Sequence, residues 1–402
     1  MNPNTIALII SIAIISVWSS SCTAARINHM RKLKAASNTF NVLDFGAKGD
    51  GHADDTKAFE EAWAAACKVE GSTMVVPSGS VFLVKPISFS GPNCEANIVF
   101  QITIKGKGVI DGQGSVWWND SPTFNPTEVV EEKLPSTKPT ALRFYGSDGV
   151  TVTGITIQNS QQTHLKFDSC KTVQVFDISV SSPGDSPNTD GIHLQNSQAV
   201  VIYSSTLACG DDCISVQTGC SDIYVHNVNC GPGHGISIGS LGKENTKACV
   251  RNVTVRDVTI QNSLTGVRIK TWQGGSGSVQ NIMFSNVQVS GVQTPISIDQ
   301  YYCDGGKCRN ESSAVAVSGI YYMSVKGTYT KEPIYFACSD SLPCTGITLD
   351  TIQLQSATET QNSNVPFCWK AYGELKTKTV PPVQCLQTGN PSKAGTSNIE
   401  SC

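Results

Sequence analysis

The chain has 402 residues, a formal net charge of −3 and 15% charged residues, well below the roughly 25% of an average soluble domain. So few charges exclude a coiled coil or long helix bundle, and the slightly acidic balance leaves no basic footprint for nucleic acid. Hydrophobic residues, at 39% and evenly spread, can supply a core, so a disordered chain is excluded as well.

From the N-terminus, Ile6 to Trp18 is an apolar stretch of 13 residues, too short to span a bilayer, followed by the small residues Cys22-Thr23-Ala24. Residues 1–24 therefore read as a signal peptide. Arg26, Arg31, Lys32 and Lys34 mark residues 25–40 as a basic linker or pro-segment. No later stretch approaches 18 apolar residues, so no membrane partner is expected. From Asp54 to Cys67, Ala58, Phe59, Ala62, Trp63 and Ala66 share one helical face, with Asp54 or Asp55 as N-cap. Gly106, Gly108, Gly112 and Gly114 have the wrong spacing for a nucleotide loop and no helix follows, so they read as turn glycines.

Beyond about residue 145 short alternating apolar runs recur. One series is Val150/Val152, Val173/Val175, Val200/Ile202, Ile223/Val225, Val253/Val255 and Ile282/Phe284. Between its members lies another: Leu165/Phe167, Ile192/Leu194, Ile214/Val216, Ile236/Ile238, Val267/Ile269 and Ile296/Ile298. The runs are rich in β-branched residues, of period two, and too short for a helix. No intervening stretch could serve as a crossover helix, so the pattern predicts an all-β parallel β-helix, a solenoid whose coils give one strand to each of two sheets. A solenoid needs capped ends; the Asp54–Cys67 helix and the cysteine-bearing tail after residue 360 supply candidates. Residues 41–402 are then one domain.

Sixteen cysteines, fifteen of them beyond the leader, fit an oxidising compartment, and no CxxC pair suggests a zinc or redox site. The odd mature count predicts at least one free thiol. Spacing alone leaves the connectivity open: the close pairs Cys303/Cys308 and Cys338/Cys344 are candidates to clamp local loops, Cys213 and Cys230, on neighbouring coils, for a rigidifying disulfide, and Cys368, Cys385 and Cys402 gather in the tail. Sequons at Asn119, Asn252 and Asn310 allow glycosylation, the first weakened by Pro122. Together these signals describe a secreted protein.

The coil register gathers the polar residues. Asp190, Asp212 and His234 lie two residues before Ile192, Ile214 and Ile236, at equal steps of 22. Equivalent positions of successive coils stack at roughly 4.8 Å, so the three form a row, with Asp211 beside Asp212. Arg268 and Lys270 flank Ile269 one coil on and should point outward from the same sheet; Tyr301 and Tyr302 follow the next strand. Closely packed carboxylates cannot all ionise cheaply, which leaves a protonated acid beside charged bases. Glycoside hydrolysis requires that pairing. The open flank of a solenoid suits a long polymer, and the two cations suggest an anionic one.

In chain order, Asn188-Thr189-Asp190, Gly210-Asp211-Asp212, Gly233-His234-Gly235 and Arg268-Ile269-Lys270 resemble the four motifs of the polygalacturonase (pectinase) family of glycoside hydrolases. The resemblance covers about residues 41–402, and the stretch Val42 to Cys67 is similar to plant members. It implies a right-handed parallel β-helix and inverting hydrolysis of α-1,4-linked galacturonic acid in pectin, without metal or other cofactor, by a monomer acting in the cell wall. It also implies that Asp211 is the general acid, that Asp190 and Asp212 hold and deprotonate the attacking water, and that His234 tunes the acid. Arg268 and Lys270 would bind the substrate carboxylate, with Asn188 and Tyr302 at the cleft. No obvious insertion closes the groove, which favours endo action; an exo-acting enzyme is the alternative. A calcium-dependent pectate lyase, its aspartates binding the cation through oxygen, and a non-catalytic pectin-binding protein are the remaining rivals, the latter disfavoured by three intact acids.

Overall fold

The computed structural model describes residues 39–77, 79–85, 87–90, 102–118, 137–304, 310–357 and 365–391. The leader, most of the basic segment, Cys308, Cys402 and the Asn119 sequon lie outside them.

The described chain is a right-handed parallel β-helix. One sheet, here the site sheet, has ten strands running from Ile87–Ser90 at one end to Phe367–Trp369 at the other. Its inward residues follow the expected ladder: Leu142, Leu165, Ile192, Ile214, Ile236, Val267, Ile296 and Ile334 are direct neighbours along the axis, and each is essentially buried. The opposing long sheet aligns Val150, Val173, Val200, Ile223, Val253, Ile282 and Ile320 in the same way. Burying each such side chain contributes about 1.5–3 kcal/mol, and the repeat makes that contribution at every coil. Both apolar series of the sequence thus hold register.

The expected coil of two strands is incomplete, because a third ribbon runs beside the long sheet. Early in the chain it is separate, as in Thr156–Gln158 paired with Ser179–Ser181. From Gln198–Ala208 onward it fuses with the long sheet into single bent strands of up to 17 residues. One residue in the left-handed region makes each bend: Ser204, Asn227, Asp257 and Asn286 occupy equivalent corners with φ of 49–53°. Asn and Asp tolerate that conformation better than other side chains, and they also bond along the axis, Asn286 Nδ2 donating to Asp257 Oδ1 (2.7 Å). A second corner carries Asp222, Asn252 and Asn281, where each asparagine amide donates 2.8 Å back to the preceding coil. A single polar residue between two apolar runs gave no sign of a sheet corner.

The helix Thr56–Ala66 buries the five residues of the expected face. Trp63 meets Phe89 (4.7 Å between centroids) and Phe144, and Phe144 stacks on Phe167 at 5.2 Å, so the helix seals an aromatic end of the core. Asp55 holds the N-cap position, but its carboxylate accepts from the Lys48 and Gly49 amides, while Asp54 accepts from the Thr56 amide. Disulfides join Cys213–Cys230, Cys338–Cys344 and Cys368–Cys385. Cys170, Cys209 and Cys220 are free and buried, in line with the odd count.

Candidate active site

The site sits on the outward face of the site sheet, where four successive coils begin strands at Ile192, Ile214, Ile236 and Thr265. Small residues let the coils close at this point. A Cβ on Gly210 would lie 1.9 Å from the Ser186 carbonyl oxygen. At Gly235, with φ +81°, it would meet the Thr265 and Gly266 carbonyls at 2.2 Å. Buried Thr189 staples two motifs together: its Oγ1 accepts from the Gly210 amide (2.9 Å) and donates to the Ser186 carbonyl (3.0 Å). The Asn188-Thr189-Asp190 turn therefore fixes the Gly210-Asp211-Asp212 turn on the coil above it.

Three carboxylates meet here in three different settings. Asp212 is nearly inaccessible, and both its oxygens are occupied. Oδ1 accepts from Ser237 Oγ (2.7 Å) and an Arg268 guanidinium nitrogen (2.7 Å), and Oδ2 accepts from Lys270 Nζ (2.8 Å). Burial alone would push its pKa up, but the Lys270 ammonium and the Arg268 guanidinium outweigh burial and hold it below the ordinary carboxylate value. Asp190 has the opposite balance. Burial pushes its pKa up, the neighbouring charges of Asp211 and Asp212 add to that, and the His193 ring pulls it down through Nδ1 at 2.9 Å from Oδ2. Asp211 is half-buried; its Oδ1 accepts from the Asp212 amide (2.8 Å) and from His234 Nδ1 (2.9 Å).

The sequence arithmetic placed these residues together but not their pairings. His234 bonds Asp211, and Asp212 belongs to the cations. Arg268 and Lys270 occupy outward register positions as expected, yet both are buried, because Asp212 draws them onto the floor of the groove. Of the two tyrosines, Tyr302 lies at the site, with Lys270 Nζ 5.2 Å from its ring centre and Trp272 against its edge. Tyr301 turns to Asp340 (3.0 Å). Asn188 is exposed in a left-handed turn (φ +57°) and bonds none of the acids. His193 and Ser237 escaped the sequence reading. Period two carries their signal: with Ile192 and Ile236 inward, the next residue of each strand must face the groove, in line with Arg268.

Ligand atoms of Asp211, Asp212 and His234 lie within 4.8 Å of one another, a spacing that can hold a cation. The donor set fits one poorly, because both oxygens of Asp212 already accept from cationic groups that would repel a metal ion. The arrangement instead suits proton transfer: one carboxyl beside an imidazole, one held ionised by two cations, and one paired with a single histidine.

Residues 93–371 match the family model described as glycosyl hydrolases family 28. A polygalacturonase of Malus domestica is 40% identical over 363 residues, covering 83% of this chain and 78% of its own. Polygalacturonase-2 of Solanum lycopersicum is 41% identical over 353 residues, covering 80% and 76%. Among solved structures, the polygalacturonase from Erwinia carotovora shares the fold with a TM-score of 0.62 at 22% identity, over 81% of this chain and 94% of that one.

Proposed function

Since the chain belongs to glycosyl hydrolases family 28 and is a polygalacturonase-type hydrolase of pectin, we propose that it cleaves α-1,4-galacturonosyl linkages within the polymer, with inversion. The carrying observation is the division of labour among the acids: Asp211 paired with His234, next to Asp212 held ionised by Arg268 and Lys270. In the reaction water attacks the anomeric carbon as the bond to the leaving sugar's oxygen breaks. Protonated Asp211 gives its proton to that oxygen, and the proton of the attacking water passes to the Asp190–Asp212 pair. His234 orients the acid.

Arg268 and Lys270 also bind the uronate carboxylate. Lys270 has three N–H donors and Arg268 five, so each retains donors after satisfying Asp212. Tyr302 stands over Lys270 as a wall for the sugar ring, and Asn188 lies at the rim of the cleft. Internal cleavage is supported by a floor that continues past the site in both directions, with Arg143 and Lys166 on earlier coils and Tyr335, Phe367 and Trp369 on later ones. On the same reading residues 1–24 are a removed leader, 25–40 a linker, and 41–402 one monomeric catalytic solenoid acting in the cell wall. Disulfides support an extracellular setting, and no described helix is long and apolar enough to cross a membrane.

The test is digestion of polygalacturonate by wild type and Asp211→Asn. Wild type should release reducing ends with a steep early loss of viscosity, without ultraviolet-absorbing products and without inhibition by a chelator. Asp211→Asn should lose about 10²–10⁴-fold in turnover, the usual worth of a general acid, while still retaining the polymer on an affinity gel. Unchanged turnover overturns the role of Asp211. Slow viscosity loss at equal reducing-end release overturns endo action, and chelator-sensitive unsaturated products would make the protein a lyase.

A further inference from the structure

Two carboxylates, Asp190 and Asp212, are available to take the proton of the attacking water, and their surroundings are unequal. Asp212 accepts from three side chains, two of them cationic. A carboxylate so held is a poor base, because the two cations stabilise its ionised form and lower its affinity for a proton. Asp190 has one side-chain donor. His193 lies three residues on, on the groove-facing row between Lys166 and Ser215. Its Nδ1 is 2.9 Å from Asp190 Oδ2, and the contact is shielded, the two side chains being 17% and 13% exposed. Oδ1 of Asp190 accepts from no described residue. An ionised carboxylate only accepts, so the shared proton sits on Nδ1 and the lone pairs of Oδ1 are left free to accept.

We infer that Asp190 is the base of the reaction and that His193 is its positioning residue, fixing Oδ2 so that Oδ1 is presented to water. The inference rests on the hydrolase reading above and deepens it by separating two acids that this reading treats as a pair. The proton of water goes to Oδ1 of Asp190; Asp212 keeps its charge throughout and anchors the two cations.

The groups around the contact make the pH consequence definite. Asp211 and Asp212 face Asp190 from the following coil, and both repel its charge. Lys166 attracts it from the preceding coil, with its own pKa pushed down by burial and by Arg143. His164, from the turn before that strand, bonds the Asp190 carbonyl through Nδ1 (2.9 Å), and burial lowers its pKa to about 4, which favours its neutral form. Cys209 is a buried, protonated thiol. His193 is thus the one hydrogen-bond donor that opposes burial and repulsion at this carboxylate. Its loss raises the pKa of Asp190 further, and since the base works only when ionised, activity disappears from the acid side.

Two variants test this, His193→Ala and His193→Asn, the second placing an amide N–H where Nδ1 stands. On polygalacturonate, His193→Ala should lower kcat about 10–100-fold, the size of one lost hydrogen bond to a charged group. KM should change less than about threefold, and the acidic limb of the pH profile should move up by about one unit. His193→Asn should recover most of kcat. Equal loss in both variants, or an unmoved acidic limb in His193→Ala, overturns the inference. A readout without substrate separates it from the hydrolase reading: in protein carrying ¹³C-carboxyl aspartate, the Asp190 resonance should titrate at higher pH in His193→Ala. An unchanged titration refutes the contact even if the wild type is an active hydrolase. A titration shifted in His193→Ala, together with a wild type that releases no reducing ends, would leave the contact standing and the hydrolase reading refuted.

Discussion

The two flanks of the solenoid bury similar ladders of Val, Ile and Leu, yet the polar row at a corner of the long sheet and the row on the face of the site sheet differ in kind. At one corner of the long sheet short Asp and Asn side chains repeat on three successive coils: Asn252 donates to Asp222 and Asn281 to Asn252 along the axis. On the site sheet the row reads Lys166, His193, Ser215, Ser237, Arg268 and Ser297, two cationic side chains and an imidazole set among three serines. A repeated row satisfies itself and needs no other partner. A mixed row makes specific bonds across coils, such as Arg268 and Lys270 to Asp212, and that specificity is what chemistry requires. The fold tolerates either row because strand pairing uses only the backbone.

Substitutions on the two flanks should differ accordingly. The largest effect is expected at Arg268→Ala, which leaves Asp212 buried with one cation fewer. Breaking such a buried pair costs about 3–5 kcal/mol, read by urea denaturation at pH 7. Its pH dependence has a definite sign. Asp212 has a depressed folded-state pKa, so its pairing stabilises fully above the ordinary carboxylate value and progressively less as pH falls through the folded one. The gap between wild type and variant should therefore narrow as pH drops below about 4. A gap constant from pH 7 to 3 would mean that the pair does not govern stability.

An intermediate loss is expected where the flanks are tied together. Cys213 stands just before the site-sheet strand at Ile214, and Cys230 ends the long-sheet strand Cys220–Cys230. Replacing both by Ala should cost about 3 kcal/mol, the value for a closed loop of this length. A loss well under 1 kcal/mol would show that packing alone holds the flanks. The smallest effect belongs to the repeated row. Asn281→Ala removes one exposed hydrogen bond and puts alanine at φ +56°, at a cost of about 1–2 kcal/mol. If it proves as damaging as Arg268→Ala, the contrast between the rows fails.

Legibility from sequence followed the same division. Inward residues alternate with period two, so Val150 to Ile282 and Leu165 to Ile296 fell into register, as did the five buried residues of the capping helix. Equal steps of 22 brought Asp190, Asp212 and His234 together. Pairing was not legible, because two coils that share a register do not determine which side chain leans toward which. His234 reaches Asp211, not its row neighbour Asp212, and His193 turns back three residues to Asp190. The third ribbon stayed hidden for a different reason: one left-handed Ser, Asn or Asp bends a strand without interrupting its alternation.

The parallel stacking has a consequence for how such a molecule can change length. Each coil touches only its neighbours, and the clustered acids, histidines and cations occupy four adjacent coils between Asp190 and Lys270. A coil inserted or deleted outside that block moves the ends of the groove by roughly 4.8 Å and leaves the acids where they stand. Reach along the polymer and the chemistry of cutting are therefore separately adjustable, the first by counting coils and the second by editing four of them.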